Sequence, residues 1–147
     1  MTPKEVLNAI PQQEPFRFID EILELDDEHI VASYTFRPDH DFYRGHFPGQ
    51  PITPGVILVE SMAQAGVVAL GFYLLTQMLG EKAKEFTSLF TDASVEFTGI
   101  VPPGTRVINT GKKIFFRRRK IRSEVEMRLE DGTLVCSGTL SGMGVPK

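Results

Sequence analysis

The chain has 147 residues, 41% apolar and 24% charged, with a formal net charge of −3. That length suits one domain, and the balance is that of a globular chain rather than a disordered one. The acidic balance argues against a general nucleic-acid binder. The single cysteine, Cys136, excludes an internal disulfide and a cysteine-cluster metal site. The opening Met1-Thr2-Pro3-Lys4-Glu5 carries no apolar signal core, so the expected compartment is the cytoplasm.

Residues 2–10 read as a short helix, with Thr2 as cap, Pro3 in the first turn, and Val6, Leu7 and Ile10 on one face. Pro11 ends it. The apolar run 16–25 and the alternation Ile30, Ala32, Tyr34, Phe36 flank the polar stretch Asp26-Asp27-Glu28-His29, which suggests a hairpin. Residues 38–55 are too rich in Pro and Gly for a regular element. The apolar segment Val56 to Leu79 has the length of a membrane span. Glu60, Gln64 and Gln77 within it favour a buried central helix instead.

The last third is strand-like. Residues 92–101 lead into Pro102-Pro103-Gly104, and 105–116 form an extended run. Ile121, Ser123, Val125, Met127 and Leu129 alternate with charged residues, as on a strand with one buried face. Asp131-Gly132 marks a hairpin, and 134–143 return. The expected architecture is α+β: one long helix against about five or six antiparallel strands.

The chemistry concentrates between residues 45 and 64. His46 lies in Gly45-His46-Phe47-Pro48-Gly49-Gln50-Pro51-Ile52-Thr53-Pro54-Gly55, where prolines fix φ and an imidazole can be held still. Glu60 stands among Val56, Ile57, Leu58, Val59 and Met62. Burial there would raise its pKa and keep a proton available. Gln64, one turn on, shares its face. The alternative is a solvated Glu favoured by the helix dipole. The free N–H of Gly55 at the helix start can polarise a carbonyl oxygen. A base, a buried acid and an oxyanion donor make an outfit for proton abstraction beside a carbonyl.

Residues 45–64 resemble the signature of the 3-hydroxyacyl-acyl carrier protein dehydratases of the FabZ type. Pro11 to Asp20 resembles that family's opening Pro-His-Arg-x-Pro-Phe-x-x-x-Asp, except that Gln12 and Gln13 replace His-Arg. Val95-Glu96-Phe97, Pro102-Pro103-Gly104 and Asp131-Gly132 with Val135-Cys136 resemble later family segments. The resemblance implies a hotdog fold, a homodimer with active sites at its interface, often a trimer of dimers, and no metal or organic cofactor. It implies His46 as base toward the α-proton of a (3R)-hydroxyacyl thioester and Glu60 of the other subunit as acid toward the leaving hydroxyl. Gly55 N–H would hold the thioester carbonyl, the Ile52 carbonyl would orient His46, and Gln64 would position Glu60. The related dehydratase-isomerases of the FabA type carry Asp at the acid position, so Glu60 favours dehydration alone.

The basic run Arg117-Arg118-Arg119-Lys120 reads either as a solvated turn or, by the resemblance, as the docking patch for an acidic acyl carrier protein, with Arg37 and Arg44 joining if close. Asp39, His40, Asp41 and His46 fit no common metal spacing. His29 is expected to be solvated, Cys136 a packed thiol, and Phe86 and Phe90 core or tunnel lining. Two other readings stay open: a coenzyme A enoyl hydratase or thioesterase of the same fold, and a non-catalytic subunit.

Overall fold

The computed structural model describes residues 1–147. Helix α1 (Pro3–Ala9) starts in a capping box: the Glu5 N–H donates to Thr2 Oγ1 at 3.1 Å and the Thr2 N–H to Glu5 Oε1 at 3.0 Å. Its apolar side buries Val6, and Ile10 follows into the core. Strands β1 (Glu21–Leu25) and β2 (His29–Thr35) form the expected hairpin. Asp26 closes its turn by accepting the N–H groups of Glu28 and His29.

The central helix is built in three segments. Helix α2 (Gly55–Ala63) passes through a π-helical turn (Gln64–Ala69) into α3 (Leu70–Leu79), and a 3-10 segment (Gly80–Glu85) follows. Every residue from Ser61 to Leu70 is buried. This is the core helix of the domain, which explains a span-like composition without a membrane.

Strands β3 (Phe86–Phe97), β4 (Arg106–Arg117), β5 (Lys120–Leu129) and β6 (Leu134–Pro146) complete one antiparallel sheet of order β1-β2-β4-β5-β6-β3. The sheet wraps the helix, as expected of a hotdog domain. Small residues permit the closest approach: a Cβ on Gly111 would lie 2.7 Å from Gly66 Cα. Ser123 Oγ donates to the Gly66 carbonyl at 2.7 Å, pinning the π turn to β5. Phe18, Tyr34, Phe36, Met62, Leu70, Met127 and Leu140 fill the core.

Strand β3 begins at Phe86, six residues before the extended run expected from residue 92. It is a sheet edge, and eight of its residues are exposed, so no alternation marks it in the sequence. Leu89, Phe90 and Phe97 are 55%, 46% and 51% exposed on this edge. The helix runs antiparallel to it. Gly55 packs beside Phe97, whereas Val67 packs at Gly142, which faces Phe90 in the sheet register.

Candidate active site

The loop 45–54 is anchored at both ends. Ahead of it, a 3-10 helix (Asp41–Arg44) buries Tyr43, whose hydroxyl lies 2.6 Å from Thr53 Oγ1. Behind it, the Thr53 N–H donates to the Val101 carbonyl at 3.1 Å. Inside the loop, His46 and Ile52 exchange two bonds. The Ile52 N–H donates to the His46 carbonyl at 2.9 Å, and His46 Nδ1 donates to the Ile52 carbonyl at 2.9 Å. A carbonyl only accepts, so Nδ1 carries a proton and Nε2 is the nitrogen left to exchange one. The Phe47 ring stacks on the imidazole, centroids 4.1 Å apart.

Gly55 opens helix α2, and its N–H has no acceptor within the helix. The Phe97 ring closes over it: a Cβ there would meet Phe97 Cε1 at 3.1 Å. Glycine therefore accommodates the Phe97 ring beside a free N–H at the positive end of a helix.

Glu60 is half-buried, and burial holds its carboxyl above the usual carboxylate range. Gln64, wholly buried, works in the opposite direction: its Nε2 donates to Glu60 Oε1 at 3.0 Å and so favours the ionised form. The same amide donates to the Phe16 carbonyl at 2.9 Å, and its Oε1 accepts the Phe18 N–H at 2.7 Å. Ser61 ties the next position to the same segment, donating to the Phe18 carbonyl at 2.8 Å and accepting from Asn109 at 2.9 Å. The helix at the start of the π turn is thus locked to the segment Phe16–Phe18.

Glu60 and Gln12 line a cavity of about 150 Å³ whose apolar walls include Val67, Leu89 and Phe90. A smaller cavity of about 40 Å³ shares Val67, Val68 and Ser88 with it and continues to Phe72, Phe86 and Phe116. Phe86 and Phe90 are accordingly cavity walls on the edge strand and not core residues. His46 lines neither cavity and makes no hydrogen bond to Glu60. A single chain does not bring His46 and Glu60 together.

The basic run forms the β4–β5 turn, with Arg118 and Arg119 both at positive φ, 51° and 62°. Arg117 lies over the Phe115 ring at 4.5 Å, and Arg119 lies over Phe86 at 5.1 Å. Lys120 faces Asp92 at 3.8 Å. Arg37 and Arg44 do not join this patch. Arg37 follows β2 at the Arg106 end of β4. Eleven residue steps of about 3.3 Å put roughly 35 Å between the two ends of that strand. Arg37 and Arg44 pair instead with Glu14 and Asp41.

His40 accepts or donates to Tyr34 Oη at 2.6 Å and stacks on Phe42, away from any cluster of metal-ligating side chains. His29 is not simply solvated: its ring bridges Glu24 at 3.0 Å and Asp26 at 2.9 Å, and these partners raise its pKa. Cys136 is buried, with its thiol pushed up to about 11 by burial, as suits a packed thiol.

A family model described as a FabA-like domain matches residues 10–140. The chain is 35% identical over 144 residues to a 3-hydroxyacyl-[acyl-carrier-protein] dehydratase FabZ of Streptococcus pyogenes serotype M3, covering 96% of both chains. Among solved structures, the dehydratase heterocomplex ApeI:P of Xenorhabdus doucetiae matches all of this chain and 93% of that one with a TM-score of 0.80 and 18% identity. A thioesterase of Haemophilus influenzae matches with a TM-score of 0.68 and 17% identity, over 99% of this chain and 92% of that one. At such identities the structural likeness establishes the hotdog fold alone.

Proposed function

The chain belongs to the FabA-like domain family, and from that membership we propose that it dehydrates (3R)-hydroxyacyl-acyl carrier protein to the trans-2-enoyl thioester. The observation that carries the reading is the presence of two prepared groups: an imidazole held through Nδ1 by the Ile52 carbonyl and a half-buried carboxyl held by Gln64. His46 takes the α-proton, the Gly55 N–H steadies the negative charge that develops on the thioester oxygen, and Glu60 protonates the departing hydroxyl. The Ile52 carbonyl fixes the imidazole tautomer, and Gln64 positions Glu60. Each positioned acid or base contributes about 10²–10⁴-fold.

The catalytic unit is a homodimer. Strand β3 offers a 12-residue open edge with Leu89, Phe90 and Phe97 exposed, a surface that a second strand would cover. Antiparallel pairing of two β3 strands about their midpoint sets Phe97 of one copy beside Phe86 of the other. The His46 loop, at the Phe97 end, then meets the partner's Glu60 cavity, which is walled by Ser88, Leu89 and Phe90. Arg117, Arg118, Arg119 and Lys120, at the Phe86 end of the sheet, come to the same mouth as a docking patch for the acidic carrier. The expected compartment is the cytoplasm.

The test is mass-spectrometric loss of water from a 3-hydroxyacyl chain on carrier protein, for wild type and His46→Ala side by side. Loss in wild type alone supports the reading; no conversion by wild type over short and long chains removes it. Arg118→Glu with Arg119→Glu should slow turnover on carrier protein more than on a small thioester mimic. Equal slowing would sink the docking role.

A further inference from the structure

We infer that Gln12 contacts the substrate, accepting the hydrogen of its 3-hydroxyl group inside the Glu60 cavity. The inference rests on the dehydratase reading and adds a residue to it. Gln12 Oε1 is buried and has no hydrogen-bond partner. Buried amide oxygens without a donor are uncommon and destabilising, so one that persists calls for an explanation. This one belongs to a side chain that lines the same cavity as Glu60. Its neighbour Gln13 is anchored locally, its Nε2 donating to the Ile10 carbonyl at 3.1 Å. No donor of the chain reaches Gln12 Oε1.

The chemistry of the cavity supplies the missing donor. Gln64 occupies Glu60 Oε1, which leaves Oε2 as the oxygen that carries the proton. A protonated carboxyl there donates to a lone pair of the substrate hydroxyl. That hydroxyl has one hydrogen of its own, which needs an acceptor. Apart from Glu60, the polar side chains of the wall are Gln12 and Ser88, and Gln12 presents an oxygen with nothing bound to it. The hydroxyl oxygen would thus sit between a donor and an acceptor, held with one lone pair toward the acid.

Elimination then balances as follows. The bond between the α-carbon and its proton breaks, the proton goes to His46 Nε2, and the electron pair becomes the new carbon–carbon double bond. The bond between C3 and oxygen breaks, and its pair stays on oxygen, which takes the Glu60 proton. The water so formed keeps its original hydrogen on Gln12. Gln12 therefore gains nothing from a saturated acyl chain, which brings no hydroxyl. It discriminates the substrate from chains that have already passed through reduction.

The experiment measures two affinities in a His46→Ala background, where the ligand is not consumed: 3-hydroxydecanoyl and decanoyl thioesters of carrier protein. The first should bind more tightly, and Gln12→Leu should weaken it about three- to tenfold while leaving the second unchanged. Gln12→Glu keeps an acceptor and should restore the preference. With His46 intact, its negative charge beside Glu60 should also move the alkaline limb of kcat to higher pH. Equal loss for both ligands, or no loss for either, overturns the role of Gln12 alone. Absence of any dehydration by the wild-type enzyme overturns the dehydratase reading and this inference with it.

Discussion

The proposed base and the proposed acid of this domain are held by opposite means. His46 sits on a half-exposed loop, fixed by two reciprocal bonds with Ile52 and by the Tyr43–Thr53 clasp beneath. Glu60 sits on the core helix, fixed by an amide that also satisfies the backbone of a segment some 46 residues earlier. The loop constrains its residue through backbone geometry; the helix constrains its residue through the core. Substitution in the first region should therefore cost chemistry with little cost in stability. In the second, chemistry and stability are coupled.

The sharpest contrast comes from His46 and Glu60 themselves. His46→Ala should lower the dehydration rate by about 10²–10⁴-fold with an unchanged melting temperature. Glu60→Gln should lower it by a similar factor and raise the melting temperature at neutral pH. The sign follows from the raised pKa. Between the ordinary value of 4.5 and its folded value, the native state binds more protons than the unfolded one. Stability is then lost as pH rises through that window, and removing the carboxyl removes the loss. A lower melting temperature for Glu60→Gln would show that the ionised carboxylate is structural and break the contrast.

Gln64→Leu should come next. It leaves the Phe18 N–H and the Phe16 carbonyl without partners, a cost on the order of 3 kcal/mol in urea unfolding. It also deletes the bond that lowers the Glu60 pKa, so the alkaline limb of the rate profile should move upward. Thr53→Val should cost less, about 1–3 kcal/mol for the stranded Tyr43 hydroxyl, with a several-fold lower rate as the His46 loop loosens. A rate loss larger than that of Gln64→Leu would reverse the ranking of the two supports.

The smallest effect belongs to His40, beside the loop. Burial depresses its pKa, and the nearby Arg37 adds to this. Its contribution is complete above the ordinary 6.5 and is lost as pH falls below it, because the unfolded chain protonates first. His40→Phe should flatten the acid side of the melting profile below pH 6.5.

Much of this arrangement was legible in the residues. The Pro-Gly loop around His46 and the acid inside an apolar helix are local patterns, and local patterns survive translation into structure. The hairpins at Asp26–His29 and Asp131-Gly132 were equally local. What escaped the sequence depends on distance along the chain. Strand β3 is exposed over most of its length, so its first six residues carry no periodicity. The cavity that joins Gln12 to Glu60 is closed by Leu89 and Phe90, nearly 80 residues after Gln12. Arg37 lies apart from the basic run within one chain, and charge composition says nothing about which end of a strand a residue reaches.

The β4–β5 turn has one more lesson. Both of its central residues adopt left-handed backbone, the geometry that Asn-Gly fills with least strain. Two arginines stand there instead. A chain selected for robustness alone would not keep them, and Arg118→Asn with Arg119→Gly should make the domain more heat-resistant. That surplus would measure the stability given up at a single hairpin tip where two arginines stand in left-handed backbone.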